Sequence, residues 1–382
     1  MHAATADALA WLEGQRPAME DLLRALVAQG SFTRDRAGVA AVVELLAPPL
    51  EATGLAVERI PSAVFGPHLA FRGPLAGPPV LLVGHTDTVF PPGTFEGFRV
   101  EGDRASGPGV FDMKGGLAVM VFGLAAAARA GLLARVPVAG LLVSDEEVGS
   151  PESQPLLAAR ARGAAAALVF ESGREGDRIV TRRKGVASLG VAAHGVAAHA
   201  GNAHVEGRNA IWALARFVDR AQALTDHARG LTVNVGTIAG GTARNTVPDE
   251  ARCEVDLRFE TQADQAALLA ALEAAAREAE LPGTRLELTR LGERTPLERT
   301  AASAALAAEY GRCQRESGLG DGEAPLVGGG SDACTTAAVG IPSIDGLGPR
   351  GKGFHTPGET VELGSLVPKA AALLRFLDGR AG

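Results

Sequence analysis

Apolar residues recur at helical spacing over 17–29 and 35–52, which predicts two amphipathic helices near the start of the chain. The first has Pro17 in its opening turn, and the stretch Ser31-Phe32-Thr33 before the second can supply a cap. Short apolar runs follow at 80–83, 139–144 and 165–170, ending in glycine or acidic residues; they read as buried strands. Between the first two lies 115–130, rich in Ala, Leu and Val and closed by Gly131, a helix with a glycine stop. Strands alternating with helices predict a layered α/β sheet.

From about Ile179 the pattern changes to alternating segments at 187–193, 231–238 and 251–259, with helical periodicity at 209–224 and 262–280. The implied β-α-β-β-α-β order is that of a ferredoxin-like sandwich set into the first domain. Helical patterns at 300–317 and 366–379 then return the chain to α/β character. The expected division is 1–180 with 291–382 as one discontinuous domain and 181–290 as the insert.

The 382 residues, 46% of them apolar, suffice for two domains with their own cores. A net charge of -7 offers no electrostatic case for nucleic acid or an anionic membrane surface. Cys253, Cys313 and Cys334 are widely spaced and form no C-x-x-C pair; they suggest neither a disulfide framework nor a thiolate zinc site. The N-terminal segment lacks the basic start and apolar core of a signal peptide, and no segment reaches 18 consecutive apolar residues. The expectation is a cytoplasmic protein.

Chemistry concentrates where the strands end. Val80-Leu81-Leu82-Val83-Gly84 runs into His85-Thr86-Asp87, Gly140-Leu141-Leu142-Val143-Ser144 into Asp145-Glu146-Glu147, and Ala167-Leu168-Val169-Phe170 into Glu171. In open α/β sheets the carboxyl ends of the strands line the ligand crevice, so these side chains can converge. Asp112 stands just before the 115–130 helix, and His355 lies in the loop 353–359. Histidine and carboxylate without thiolate suit a catalytic zinc or cobalt site, and five such ligands suit two ions. Two ions about 3.5–4 Å apart need a bridging carboxylate and open positions for water and substrate. A carboxylate in excess of the ligands is needed to move protons, and the pair Glu146-Glu147 supplies both kinds. Asp87, two residues from His85 on an extended chain, points the same way and can orient the imidazole. A single histidine after a strand, or a lone Glu-Glu pair, is commonplace in solvated turns. HTDTV, FDMKGG, SDEEVGS, FES and HTPGE, each behind its expected element, form a joint pattern that is not.

On these motifs the sequence resembles, over nearly its whole length, metallopeptidase family 20: aminoacylase, carboxypeptidase G, succinyl-diaminopimelate desuccinylase and acetylornithine deacetylase. The resemblance implies a zinc-exopeptidase-like α/β/α catalytic domain with an inserted ferredoxin-like α+β dimerisation domain. It implies two Zn2+ ions, with Co2+ or Mn2+ as substitutes, one held by His85, Asp112 and Glu171 and the other by Asp112, Glu147 and His355. Asp112 would bridge, Glu146 would be the general base, Asp87 would fix His85, and a cis peptide bond would follow Asp112. His199, in Ala197-Ala198-His199-Ala200-Gly201, matches a histidine that family dimers lend to the neighbouring subunit's oxyanion. Asn245, Arg258, Lys184 and the turn with Gly329 and Ser331 match substrate-side positions.

Glu171 in place of aspartate disfavours a dipeptidase, and HTDTVFPPG and RRKG resemble the carboxypeptidase G branch. That branch implies a small N-acyl amino acid or peptide substrate releasing a C-terminal amino acid such as glutamate, its carboxylate anchored by Arg258. The alternatives are a deacylase of the acetylornithine or desuccinylase type and, in another class, a family member that binds ligand without turnover. Acyl-group and side-chain preference follow from pocket shape, which spacing does not encode.

Overall fold

The computed structural model describes residues 2–381, which divide into two units. One comprises 2–181, Arg299–Leu326 and 331–381; the other comprises Arg182–Glu298 and Val327–Gly330.

The first unit is built on a six-stranded mixed sheet. Val80–His85 runs parallel to Val138–Val143 on one side and to Ala166–Val169 on the other. Ser343–Ile344 extends the parallel part, while His68–Arg72 and Ala56–Ile60 add antiparallel strands at the opposite edge. Val80–His85 is buried at all six positions, as a strand covered on both faces must be. The apolar helix Gly115–Arg129 packs on Leu366–Gly379, Ala3–Glu13 and Arg36–Glu51, whereas Ser153–Ala161 and Asp332–Ala338 pack on each other. The run Val110–Arg129 has the length and hydropathy of a membrane span, yet 89% of that window is buried in this core. Gly116 has a specific reason to be glycine: a Cβ there would lie 2.0 Å from the Phe170 carbonyl oxygen. Its absence lets the helix approach the strand end that carries Glu171.

The second unit is a four-stranded antiparallel sheet in the order Thr232–Gly240, Glu250–Phe259, Gly185–His194, Arg285–Arg294. Burial alternates along Gly185–His194 and Glu250–Phe259, so one face carries the core. The helices Ala210–Gln222 and Gln262–Ala279 share that core. Asn209 and Thr261 cap them by accepting from the Trp212 and Asp264 amides. This is the ferredoxin-like insert.

Several details depart from the sequence reading. The helix Arg36–Glu51 is capped by Asp35, whose Oδ1 accepts from the Gly38 amide at 3.1 Å, and not by the Ser31–Thr33 stretch. The insert extends beyond the expected limit at 290, because its last strand continues through an irregularity at Arg290/Gly292 to Arg294. It also gains Val327–Gly330, since Val327 forms a parallel bridge with Arg183.

One buried ion group lies in the first unit. Asp177, with φ 55°, accepts from Arg350 Nη2 at 2.5 Å, and Lys369 Nζ stands 3.3 Å from its Oδ1. Burial drives the Lys369 amine down to about 8 although Asp177 opposes this. An amine whose pKa is depressed in the folded state binds fewer protons there than in the unfolded chain, so its destabilising effect is complete below that pKa and is relieved as pH rises toward 10.5. Lys369→Met leaves Asp177 paired with Arg350. The stability of native protein minus that of the variant should therefore increase by roughly 2 kcal/mol between about pH 7.5 and 10. Urea unfolding across that range checks this, and a pH-independent difference would refute it.

Candidate active site

The three parallel strand ends deliver side chains to one place. His85 Nε2, buried, is 3.5 Å from Asp112 Oδ1 and 3.6 Å from Glu171 Oε1. His355 Nε2 is 3.3 Å from Asp112 Oδ2 and 3.1 Å from Glu147 Oε2. Asp112 thus turns one oxygen to each histidine. Potential ligand atoms of His85, Glu146 and Glu171 lie within 4.8 Å of one another, as do those of Asp112, Glu147 and His355. Glu146 therefore belongs to the cluster itself. The Asp112–Met113 peptide bond is cis, as the resemblance implied.

The tautomer of His85 follows from its partner. Its Nδ1 is 3.0 Å from the Asp87 main-chain oxygen, which can only accept, so Nδ1 carries a proton and Nε2, the nitrogen that faces Asp112 and Glu171, is the one that can exchange its proton for a cation. The Asp87 carboxylate stands 3.4 Å from the same nitrogen. It also accepts from Thr33 Oγ1 at 2.7 Å and from the Glu146 and Glu147 amides at 3.3 and 3.2 Å. Asp87 thereby ties the His85 strand end to the turn Glu146–Val148.

Electrostatically the site gathers carboxyl groups around two imidazoles. Burial pushes Glu147 up to about 7 and lifts Glu171 well above the carboxylate range, with the Asp112 charge adding to the Glu171 shift. Hydrogen bonds to Asp112 and Glu147 raise His355 to about 10. Burial works against ionisation of Asp112, but the facing imidazoles of His355 and His85 outweigh this and hold it low. Burial likewise opposes protonation of His85, and the Glu171 charge with bonds to Asp112, Asp87 and Glu171 overcomes it. Asp112 Oδ1 and Glu147 Oε1 are buried and accept no hydrogen bond among the described residues, and such oxygens normally have a partner. Imidazole nitrogens and inward-facing carboxylate oxygens, with no thiolate, suit divalent metal ions.

Sequence reasoning missed Glu359 and Thr33. Glu359 is completely buried and accepts from the amides of Gly109, Phe111 and Asp112; burial pushes it up to about 7. Its signal was the last letter of HTPGE. Thr33, read as part of a cap, bonds Asp87 instead.

The substrate-side residues fall differently. Ser331 is buried, donating to Asp345 Oδ2 at 2.6 Å and accepting from the Ala333 amide; its hydroxyl serves as a helix cap. In the second unit, Arg258 is held bidentately by Asp256 at 2.8 and 3.1 Å. Lys184 Nζ donates to the Gly230 carbonyl at 2.5 Å, and the exposed Gly329 accepts from Arg183 at 3.1 Å. Ala198–His199 pairs with Thr246–Val247, which brings His199 and Asn245 to neighbouring exposed positions. His199 Nδ1 accepts from the Gly201 and Asn202 amides, both at 3.1 Å, so the ring presents Nε2–H outward when neutral.

Residues 181–284 match the model of the M20 peptidase dimerisation domain. Carboxypeptidase G2 of a Pseudomonas species is 31% identical over 349 residues, 90% of this chain and 84% of that protein. The chain belongs to metallopeptidase family 20. A second family 20 relative, succinyl-diaminopimelate desuccinylase of Leptothrix cholodnii, is 30% identical and spans 94% of this chain and 97% of its own. Among solved structures, that of aminopeptidase PepT from Bacillus cereus superposes with a TM-score of 0.79 at 20% identity, covering 96% of this chain and 99% of that one. Family 20 comprises metal-dependent peptidases and amidohydrolases, and this chain is a hydrolase of that kind.

Proposed function

We propose that this family 20 hydrolase cleaves the amide bond of a small N-acyl amino acid or peptide and releases the C-terminal amino acid, with glutamate as the first candidate. Support comes from carboxypeptidase G2 as a relative and from the observation that carries the reading: Asp112 stands between two histidines with Glu146 beside them as an additional carboxylate. In this reading His85, Asp112 and Glu171 hold one divalent ion and Asp112, Glu147 and His355 the other, zinc being the default. When bound, such a pair polarises the scissile carbonyl and lowers the pKa of the attacking water.

The chain's own residues do the rest. Glu146 takes a proton from the water as its oxygen bonds to the carbonyl carbon, then delivers it to the amine nitrogen as the C–N bond breaks, leaving a free acid and an amine. Asp87 fixes the turn that carries Glu146 and Glu147. His199 presents Nε2–H to the oxyanion, and the reading includes a homodimer in which it serves the neighbouring subunit. The insert supports this with exposed Ile211, Trp212 and Ile238. Arg258 is a weaker carboxylate anchor than the sequence suggests, because Asp256 already occupies its fork. The desuccinylase relative favours a second reading, an N-acyl amino acid deacylase using the same cluster.

A two-way substrate panel tests both. One arm joins a single acyl group to different amino acids; the other joins different acyl groups to one amino acid. Hydrolysis governed by the C-terminal residue, abolished by a chelator and restored by zinc, is the expected result. Dependence on an acetyl or succinyl group would favour the deacylase. No turnover by metal-loaded protein across the panel would refute both readings in favour of a binding protein.

A further inference from the structure

Two segments far apart in sequence supply Asp112 and His355, and one buried side chain joins them. Glu359 lies four residues beyond His355, in a loop whose base is closed by pairing of Gly351–Lys352 with Thr360–Glu362. Its own amide donates to the Thr356 carbonyl at 3.1 Å. Its carboxylate reaches across to the other segment: Oε1 accepts from Phe111 and Asp112, both at 2.8 Å, and Oε2 accepts from Gly109 at 3.1 Å. Gly109 has φ +72°, in the left-handed region where glycine is favoured. Its amide and those of Phe111 and Asp112 converge on one carboxylate, while that of Val110 turns to the Gly107 carbonyl. Asp112 is thus gripped at its own main-chain nitrogen by a residue of the His355 loop.

We propose that Glu359 is a positioning residue that locks the Asp112 segment to the His355 loop and so sets the geometry in which these two side chains share an ion. The inference rests on the two-ion reading of the cluster. Glu359 touches neither substrate nor the reacting atoms; it acts through Asp112 and His355. Ionised carboxylate suits three N–H donors because both oxygens only accept. An amide keeps one acceptor and turns an NH2 against a donor.

The test compares native protein with Glu359→Gln. Zinc is titrated calorimetrically into chelator-stripped samples, with cobalt absorption as a second reporter, and melting is followed without metal. The expected variant melts within a few degrees of native without metal and binds one ion with native affinity and the other at least about tenfold more weakly. Its kcat falls while KM changes little, and excess metal restores part of the rate. Native affinity for both ions in the variant would overturn the proposal, as would equal weakening of both, which a merely structural role would give. Should the variant fail to fold, amide exchange on metal-free native protein decides. Strong protection at Gly109, Phe111 and Asp112 supports the lock, and exchange at the rate of an open loop removes it. The native titration separates the two ideas. A native protein that takes up no ion refutes the two-ion reading, whereas two ions in native and variant alike refute only the role of Glu359.

Discussion

Glu146→Gln is expected to keep both ions and the fold while lowering kcat by roughly 10²–10⁴-fold, the span associated with removal of a positioned general base. The argument starts from the turn Glu146–Val148, held by the Asp87 carboxylate through the amides of Glu146 and Glu147. Those bonds are to main chain, so the side-chain change leaves the turn in place. Glu147 remains at 3.1 Å from His355, and the other carboxylates of the cluster are unaltered. What disappears is a group able to accept and return a proton. Metal content by plasma mass spectrometry, measured beside kcat, makes the result decisive. Retained metal with near-native turnover would place the base elsewhere. Loss of one ion would show that Glu146, grouped with His85 and Glu171, is a ligand.

Asp112→Ala should fail differently, losing metal and activity together. Asp112 faces both histidines, through different oxygens at 3.5 and 3.3 Å, so its removal takes a ligand from both proposed ions. Turnover should fall at least about a thousandfold and the metal content from two equivalents toward zero. Folding should survive. The Asp112 charge is one of the influences that raise Glu171, so the metal-free variant loses a like-charge repulsion in exchange for its bonds to His85 and His355. Circular dichroism with chelator present checks this. Two tightly held ions in the variant would rule out Asp112 as the bridge.

The contrast between these variants shows what the sequence could convey. Strands buried on both faces appear as unbroken apolar runs, which is why 80–83, 139–144 and 165–170 were legible and why the residues just beyond them could be assigned to a crevice. Ala56–Ile60 and His68–Arg72 were not legible. The former is mostly exposed, and the latter is bounded by His68 and Arg72, so neither carries a clear period. The helix Ala3–Glu13 buries only Thr5, Ala8 and Leu12, too narrow a stripe to stand out. Glu359 escaped because its partners are backbone amides nearly 250 residues away, and a backbone amide has no letter of its own. The pairing of Arg258 was visible in principle: Asp256 and Arg258 stand two apart on a strand and point the same way. Local geometry answers that question, whereas family resemblance alone pointed to a free guanidinium.

The division of the chain bears on its capacity for recombination. The polypeptide crosses between its two units four times, because the short excursion Val327–Gly330 belongs with Arg182–Glu298. Val327 donates to the Arg182 carbonyl and accepts from the Lys184 amide, at 3.2 and 2.8 Å. A gene fragment cut at 182 and 298 would therefore leave those backbone groups of Arg182 and Lys184 without their partner. The insert travels as a two-piece cassette, and any shuffling of this unit, by evolution or by cloning, has to carry the small piece with the large one.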